Sequence, residues 1–134
     1  MSIKESPIYK KVKTHEKVDI GDLYFFDNYV IGEFKEGISV DFKQFSQCTK
    51  LISAFYGNAG FGFIANRVNS YSIVLTDAHL FNDYFKNLKA YATVSYIAFS
   101  EKITEVENHF FNFNKRDFGS LVEAITWVEE TLKD

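Results

Sequence analysis

Arg67 stands in the polar run Asn66-Arg67-Val68-Asn69-Ser70-Tyr71-Ser72 and is one of two arginines in the chain. A guanidinium presents five donors in a rigid plane and can grip a carboxylate or phosphate through two parallel bonds, which a lysine cannot. Asn66, Asn69, Ser70 and Ser72 place further donors and acceptors beside it, and the Tyr71 ring offers contact area. The run therefore suits recognition of a protein partner. The same residue types also suit a purely local role, with amides and hydroxyls closing turn hydrogen bonds and Arg67 paired to an acidic neighbour. Ser70 and Ser72 are candidate phosphoacceptors, because a phosphate near a helix N-terminus meets free amides and the helix dipole while adding roughly −1.5 to −2 charges.

Other residues that could do chemistry are dispersed. His15, His79 and His109 show no pair at the short helical spacing of a two-histidine metal face, and Cys48 is the single cysteine, so neither a disulfide nor a cysteine-based zinc site is expected. Cys48 falls on an apolar helical stripe, where a thiol acts as a small hydrophobe. No glycine-framed nucleophile elbow surrounds any serine, and Gly57, Gly60 and Gly62 lack the following helix of a phosphate-cradling loop. The expectation is a chain without catalytic residues, metal or cofactor.

The elements that would position the 66–72 run follow from apolar spacing. Leu23 to Phe26 and Tyr29 to Phe34 are aromatic and β-branched runs separated by Asp27-Asn28, a pair that tolerates positive φ and predicts a tight hairpin. Asp41 with Gln44 forms a capping-box pattern ahead of Phe42, Phe45, Cys48, Ile52 and Phe55, predicting a helix to about Tyr56 that Gly57 ends. Phe61 to about Asn66 predicts a buried strand, and Asp77 to Lys86 a short helix capped by Thr76. Leu88 to Phe99 predicts a central strand, Ser100 the cap of a helix to about Phe111, and Phe113 the site of a last short strand. Ser120 with Glu123 opens a C-terminal helix with the stripe Leu121, Ala124, Ile125, Val128 and Leu132. The order ββαβαβαβα predicts an α/β fold, a mostly parallel sheet of about five strands opened by an antiparallel hairpin. Residues 1–19, in which Ile8, Lys10, Val12 and Thr14 alternate, are expected to be an N-terminal extension or an edge strand.

In pattern, residues 20 to 132 resemble the STAS superfamily, specifically its sporulation anti-sigma-factor-antagonist-like branch of small single-domain bacterial proteins. The resemblance is carried by Tyr29-Val30-Ile31-Gly32-Glu33 with Glu36-Gly37, by the 66–72 run, by Asn87-Leu88-Lys89-Ala90, and by Phe118-Gly119-Ser120-Leu121-Val122-Glu123-Ala124-Ile125-Thr126-Trp127. It implies a STAS-like domain over 20–134 and a regulatory binding module. In the phospho-switched members a serine follows an aspartate; here Ser70 follows Asn69 and Ser72 follows Tyr71, so they are positional analogues only.

Composition narrows the partners. The 134 residues carry 15 basic and 18 acidic side chains, a formal charge of −3, which disfavours nucleic acid and anionic bilayers. No apolar run approaches the roughly twenty residues that cross a membrane, and the single cysteine suits a reducing compartment, so a cytoplasmic protein is expected. Fifteen Phe and eight Tyr exceed what a small core ordinarily uses. A homodimer interface, a pocket for a small apolar or lipid-like ligand, and a Phe-rich core are three ways to employ them. The leading expectation is a non-enzymatic regulatory or scaffold domain that binds a protein partner through the 66–72 loop and the first turn of the following helix; the alternative is a binder of a small apolar ligand.

Overall fold

Two antiparallel and three parallel pairings build the main sheet of a computed structural model that describes residues 1–133. Its strands are β1 (Thr14–Val18), β2 (Gly21–Phe25), β3 (Tyr29–Phe34), β5 (Phe61–Arg67), β7 (Leu88–Ser95) and β8 (Lys115–Phe118), in the spatial order β1-β2-β3-β5-β7-β8. A second, two-stranded parallel sheet joins β4 (Ser39–Val40) to β6 (Ser72–Ile73). The helices are α1 (Phe42–Tyr56), α2 (Ala78–Tyr84), α3 (Ala98–Glu107) and α4 (Leu121–Leu132). This is the expected α/β architecture, with one more strand in the main sheet than the predicted five.

After β3 the strand order advances in one direction without reversing, so the sheet has no switch point where neighbouring loops diverge into a ligand crevice. Along β5, Phe61, Phe63 and Ala65 project onto the face covered by α1 and α2, while Ile64 packs with Ala90, Ala92, Val94 and α4 on the other face. Every residue of β5 is buried, as expected of a parallel strand covered on both sides. Ile3 joins the α4 side as a fully buried side chain.

Local chemistry explains most element boundaries. The Asp41 carboxylate accepts the Gln44 amide while the Gln44 side chain accepts the Asp41 amide, so the predicted capping box is formed. Gly57 closes α1 at φ 59°, a conformation that favours glycine. The β2–β3 hairpin is present, but no non-glycine residue has positive φ among the described residues. Its loop is held instead by the Phe26 amide bonding the Tyr29 carbonyl and by the Tyr56 hydroxyl, 2.9 and 2.5 Å from the carbonyls of Phe26 and Tyr29.

Several element bounds and caps differ from the expectation. Residues 1–19, expected to be an N-terminal extension or an edge strand, hold a 3-10 turn, Pro7–Lys11, whose start is fixed by Ser6 accepting the Ile8 amide and by Pro7, and then the edge strand β1 from Thr14. Thr76 caps nothing: α2 follows a 3-10 turn, Leu75–Asp77, and the Asp77 carboxylate accepts the Phe42 amide at the start of α1. The strand predicted to Phe99 stops at Ser95, and Ser100 is not a cap but a buried residue within α3, which ends at Glu107 rather than near Phe111. The last strand begins at Lys115, past Phe113.

Candidate functional site

β5 ends in adjacent residues that point to opposite faces of the sheet, and both become internal posts. Arg67 is 1% exposed. Its Nη2 donates to Glu107 Oε1 on α3 at 2.5 Å, its Nη1 donates to the Tyr71 carbonyl at 3.3 Å, and its guanidinium lies 4.6 Å from the centre of the Tyr71 ring. Tyr71 is likewise buried and packs edge-on against Phe34. The expectation that a guanidinium and a phenol ring face solvent here is therefore corrected. The local role wins, because an acidic neighbour forty residues away reaches Arg67 only once α3 folds onto the sheet.

Burial is costly for these groups, and it shows. Arg67 Nε, Glu107 Oε2 and the Tyr71 hydroxyl have no hydrogen-bond partner among the described residues. Burial drives the Glu107 carboxyl upward, with the Arg67 guanidinium and the Lys115 ammonium pulling it back. Arginine cannot shed its proton in a protein, so the charge on Arg67 persists and fixes Glu107 opposite it. Burial also pushes the Tyr71 phenol up to about 12.

On the opposite face Asn66, fully buried, knits three segments together. Its side-chain amide donates to Glu33 Oε2 at 2.7 Å and to the Met1 carbonyl at 2.9 Å, while its Oδ1 accepts the Tyr96 hydroxyl at 2.7 Å. Glu33 Oε2 also accepts the Ile3 amide at 2.8 Å. The remaining loop residues are half-buried and locally engaged. The Asn69 side chain donates to the Phe34 carbonyl, the Ser70 amide donates to Glu36, and the Ser72 hydroxyl lies 3.3 Å from that of Ser39. The helix next to this loop is α3 rather than α2, since the Ser70 and Ser100 hydroxyls lie 3.5 Å apart. Ser72 sits in β6, paired with Ser39 of β4.

What reaches solvent at this end of the sheet is the segment after β7. Ile97 is 53% and Phe99 64% exposed, and the half-open Tyr96 ring is tethered through its hydroxyl to Asn66. α3 continues the pattern: it buries Ser100, Thr104 and Glu107 while leaving Val106 half-exposed and Ile103 partly so. The spacing 99, 103, 106 is present in the sequence, but no local signal shows there that the polar stripe at 100, 104 and 107 is the inner one. Arg67, arriving from β5, meets this inner stripe at Glu107.

The other residues with potential chemistry are quiet. Cys48 is buried and its thiol is pushed up to about 12 by that burial, which opposes thiolate formation. Among the described residues no three His, Cys, Asp or Glu side chains converge as a metal site. The Phe surplus lies mostly in the layer between the sheet and α1 and α2, around an apolar cavity of about 40 Å³ lined by Phe34, Phe45, Phe63, Phe81, Phe111 and Tyr71 among others. An apolar cavity of about 150 Å³ admits benzene. Compared with known proteins, the chain matches no family model, no curated protein and no solved structure.

Proposed function

We propose that this chain is a non-catalytic protein-binding module, of regulatory or scaffold type, whose docking surface is the rim formed by the 66–72 loop and the segment Tyr96–Phe99. The observation that carries this reading is the run of exposed apolar side chains at Tyr96, Ile97 and Phe99, of which Tyr96 is tethered through its hydroxyl to Asn66. Exposed aromatic and aliphatic anchors on a preorganised surface are what interface hot spots are made of. Arg67 and Tyr71 then act from below, holding the loop and α3 in register instead of touching the partner. The STAS-like sequence pattern supports the same class of function.

The test is quantitative affinity capture from the source cells with the wild-type chain and the Ile97→Ser, Phe99→Ser double variant. Two lost anchors should weaken a specific complex by about 2 kcal/mol or more, at least tenfold less recovery. Equal recovery of the same proteins overturns the assignment, and because both side chains are exposed the fold is preserved as a control by circular dichroism.

The Phe-lined cavity supports a second reading, binding of a small apolar molecule, and its volume limits it to a guest well below benzene in size in the closed form. Native mass spectrometry of the purified chain checks this; a copurifying ligand larger than that requires the α2 side of the layer to open.

A further inference from the structure

The segment ahead of β1 is folded on itself and is fastened to the domain mainly by its first three residues. Among the described residues, the backbone amides of Glu5, Ser6, Tyr9 and Val12 all bond carbonyls within the segment, at Ser2, Ile3, Ser6 and Tyr9. The polar attachments of residues 1–12 to the domain are made by Met1 and Ile3 alone. The Ile3 amide donates to Glu33 Oε2 at 2.8 Å, the Met1 carbonyl accepts the Asn66 side-chain amide at 2.9 Å, and the Tyr96 hydroxyl lies 3.4 Å from that carbonyl. The Ile3 side chain is fully buried, in a cluster with Tyr24, Ile31, Ile64 and Val94, whereas Ile8 and Val12 are only half-buried.

The wall that grips this arm is made without it. Glu33 and Asn66 are the penultimate residues of the neighbouring parallel strands β3 and β5, and Tyr96 follows β7, the next strand over. Asn66 donates to Glu33 Oε2 at 2.7 Å and accepts the Tyr96 hydroxyl at 2.7 Å, so the three side chains fix one another. They leave one amide hydrogen and one carboxylate lone pair for the carbonyl and amide that flank Ser2, groups that every peptide carries. If the arm leaves, those buried groups lose a partner, which favours another peptide in its place. The apolar recess for Ile3 adds side-chain selection, since a charge there would be buried beside the Glu33 carboxylate. We propose that Glu33, Asn66 and Tyr96 form a peptide-binding socket that Met1–Ile3 fills in cis, and that a segment of another protein with a branched aliphatic residue in the Ile3 position displaces the arm. The arm competes with that segment and so sets the affinity the partner must reach. This rests on the protein-binding reading above, whose rim includes Tyr96, and adds the partner's chemistry and a built-in competitor.

The test supplies the arm in trans. Full-length Ile3→Asp sets a carboxylate against Glu33 and should free the socket; a fluorescent peptide of residues 1–8 is then titrated into this variant and into wild type, with polarisation as the readout. The variant is expected to bind at least tenfold more tightly than wild type, whose own arm competes. The same peptide N-methylated at its third residue, which removes the donor to Glu33, or carrying Ile3→Asp, should bind at least tenfold more weakly than the unmodified one. An Ile3→Asp chain that is folded by circular dichroism and ignores the peptide overturns the proposal, as does binding indifferent to both peptide changes. Amide exchange on the wild-type chain needs no variant to fold: the Ile3 amide should exchange at least a hundredfold faster than that of Ile64 in β5, and equal rates would mean that the arm leaves only on global unfolding, which also overturns it. A dimer in sedimentation that Ile3→Asp dissolves puts a second copy's arm in the socket and overturns the partner assignment. The two readings separate in cell capture. Partners lost with Ile97→Ser, Phe99→Ser but recovered equally by wild type and Ile3→Asp leave the rim standing and sink the socket, whereas partners indifferent to the rim variant sink the rim while peptide binding in trans upholds the socket.

Discussion

Arg67 illustrates how one side chain can carry two opposite meanings until its surroundings are known. Its pairing with Glu107 is fully desolvated, and breaking such a pair leaves an uncompensated charge in the interior, which costs about 3–5 kcal/mol. Arg67→Met alone should therefore lower stability by that amount in urea unfolding. The double variant Arg67→Met, Glu107→Leu should return to near wild type, since apolar replacement of both partners also removes the orphaned Nε and Oε2. A double variant no more stable than the single one would show that the pair contributes more than mutual neutralisation. The sequence marked Arg67 as directional and charged, and that was accurate. Which way it points was not legible, because the deciding residue lies forty positions on, in a helix whose inner stripe looks polar. The inward role of Asn66, itself a candidate in the sequence, was not legible for the same reason: its partners Glu33, Met1 and Tyr96 come from three separate segments.

Elements were legible where one local rule fixed them. The Asp41–Gln44 box and the Ser120 cap gave the starts of α1 and α4 correctly, for both act within four residues. They failed where a distant group substituted for the local one, as when Asp77 caps α1 instead of its own helix, or where an apolar run crossed from β7 into an exposed helix start. The contact between α4 and β5 shows how closely the layers approach. A Cβ on Gly62 would sit 2.5 Å from Val128 Cγ1, itself fully buried, and 3.4 Å from Leu132 Cδ1. Gly62→Ala must push α4 off the sheet or force Val128 from its rotamer, at about 1–3 kcal/mol. Gly119→Ala, with nothing within 4 Å of the added carbon, should stay within about 0.5 kcal/mol. Thermal unfolding of the two variants side by side measures the difference, and equal melting temperatures would mean that the α4 layer yields freely.

At the scale of the molecule, two carboxylates beneath opposite faces of the sheet make the stability respond to acid in opposite senses. Burial raises the Glu33 carboxyl, and Asp22 adds to this, against bonds from the Ile3 amide and Asn66 and the pull of the N-terminal ammonium. The folded state thus holds the Glu33 proton more tightly than the unfolded chain does, and the resulting stability is full below about 4.5 and disappears as pH rises through the folded value. For Asp117, burial alone would act upward, but hydrogen bonds from Lys115, Thr93 and Asn108 outweigh it and hold the carboxyl below 3.8. Its contribution is present above that value and is lost as pH falls through the folded one. Glu33→Gln keeps an acceptor for Ile3 and Asn66 without the buried charge, so it should melt a few degrees above wild type at pH 7, with the gain fading toward pH 4. Asp117→Asn should melt a few degrees below wild type at pH 7, about 1 kcal/mol after solvent screening, with the deficit fading in acid. Melting curves for the three chains across pH 3.5 to 7.5 decide it: variants that shift together, in the same direction, would mean that neither carboxylate governs the acid limb of this fold.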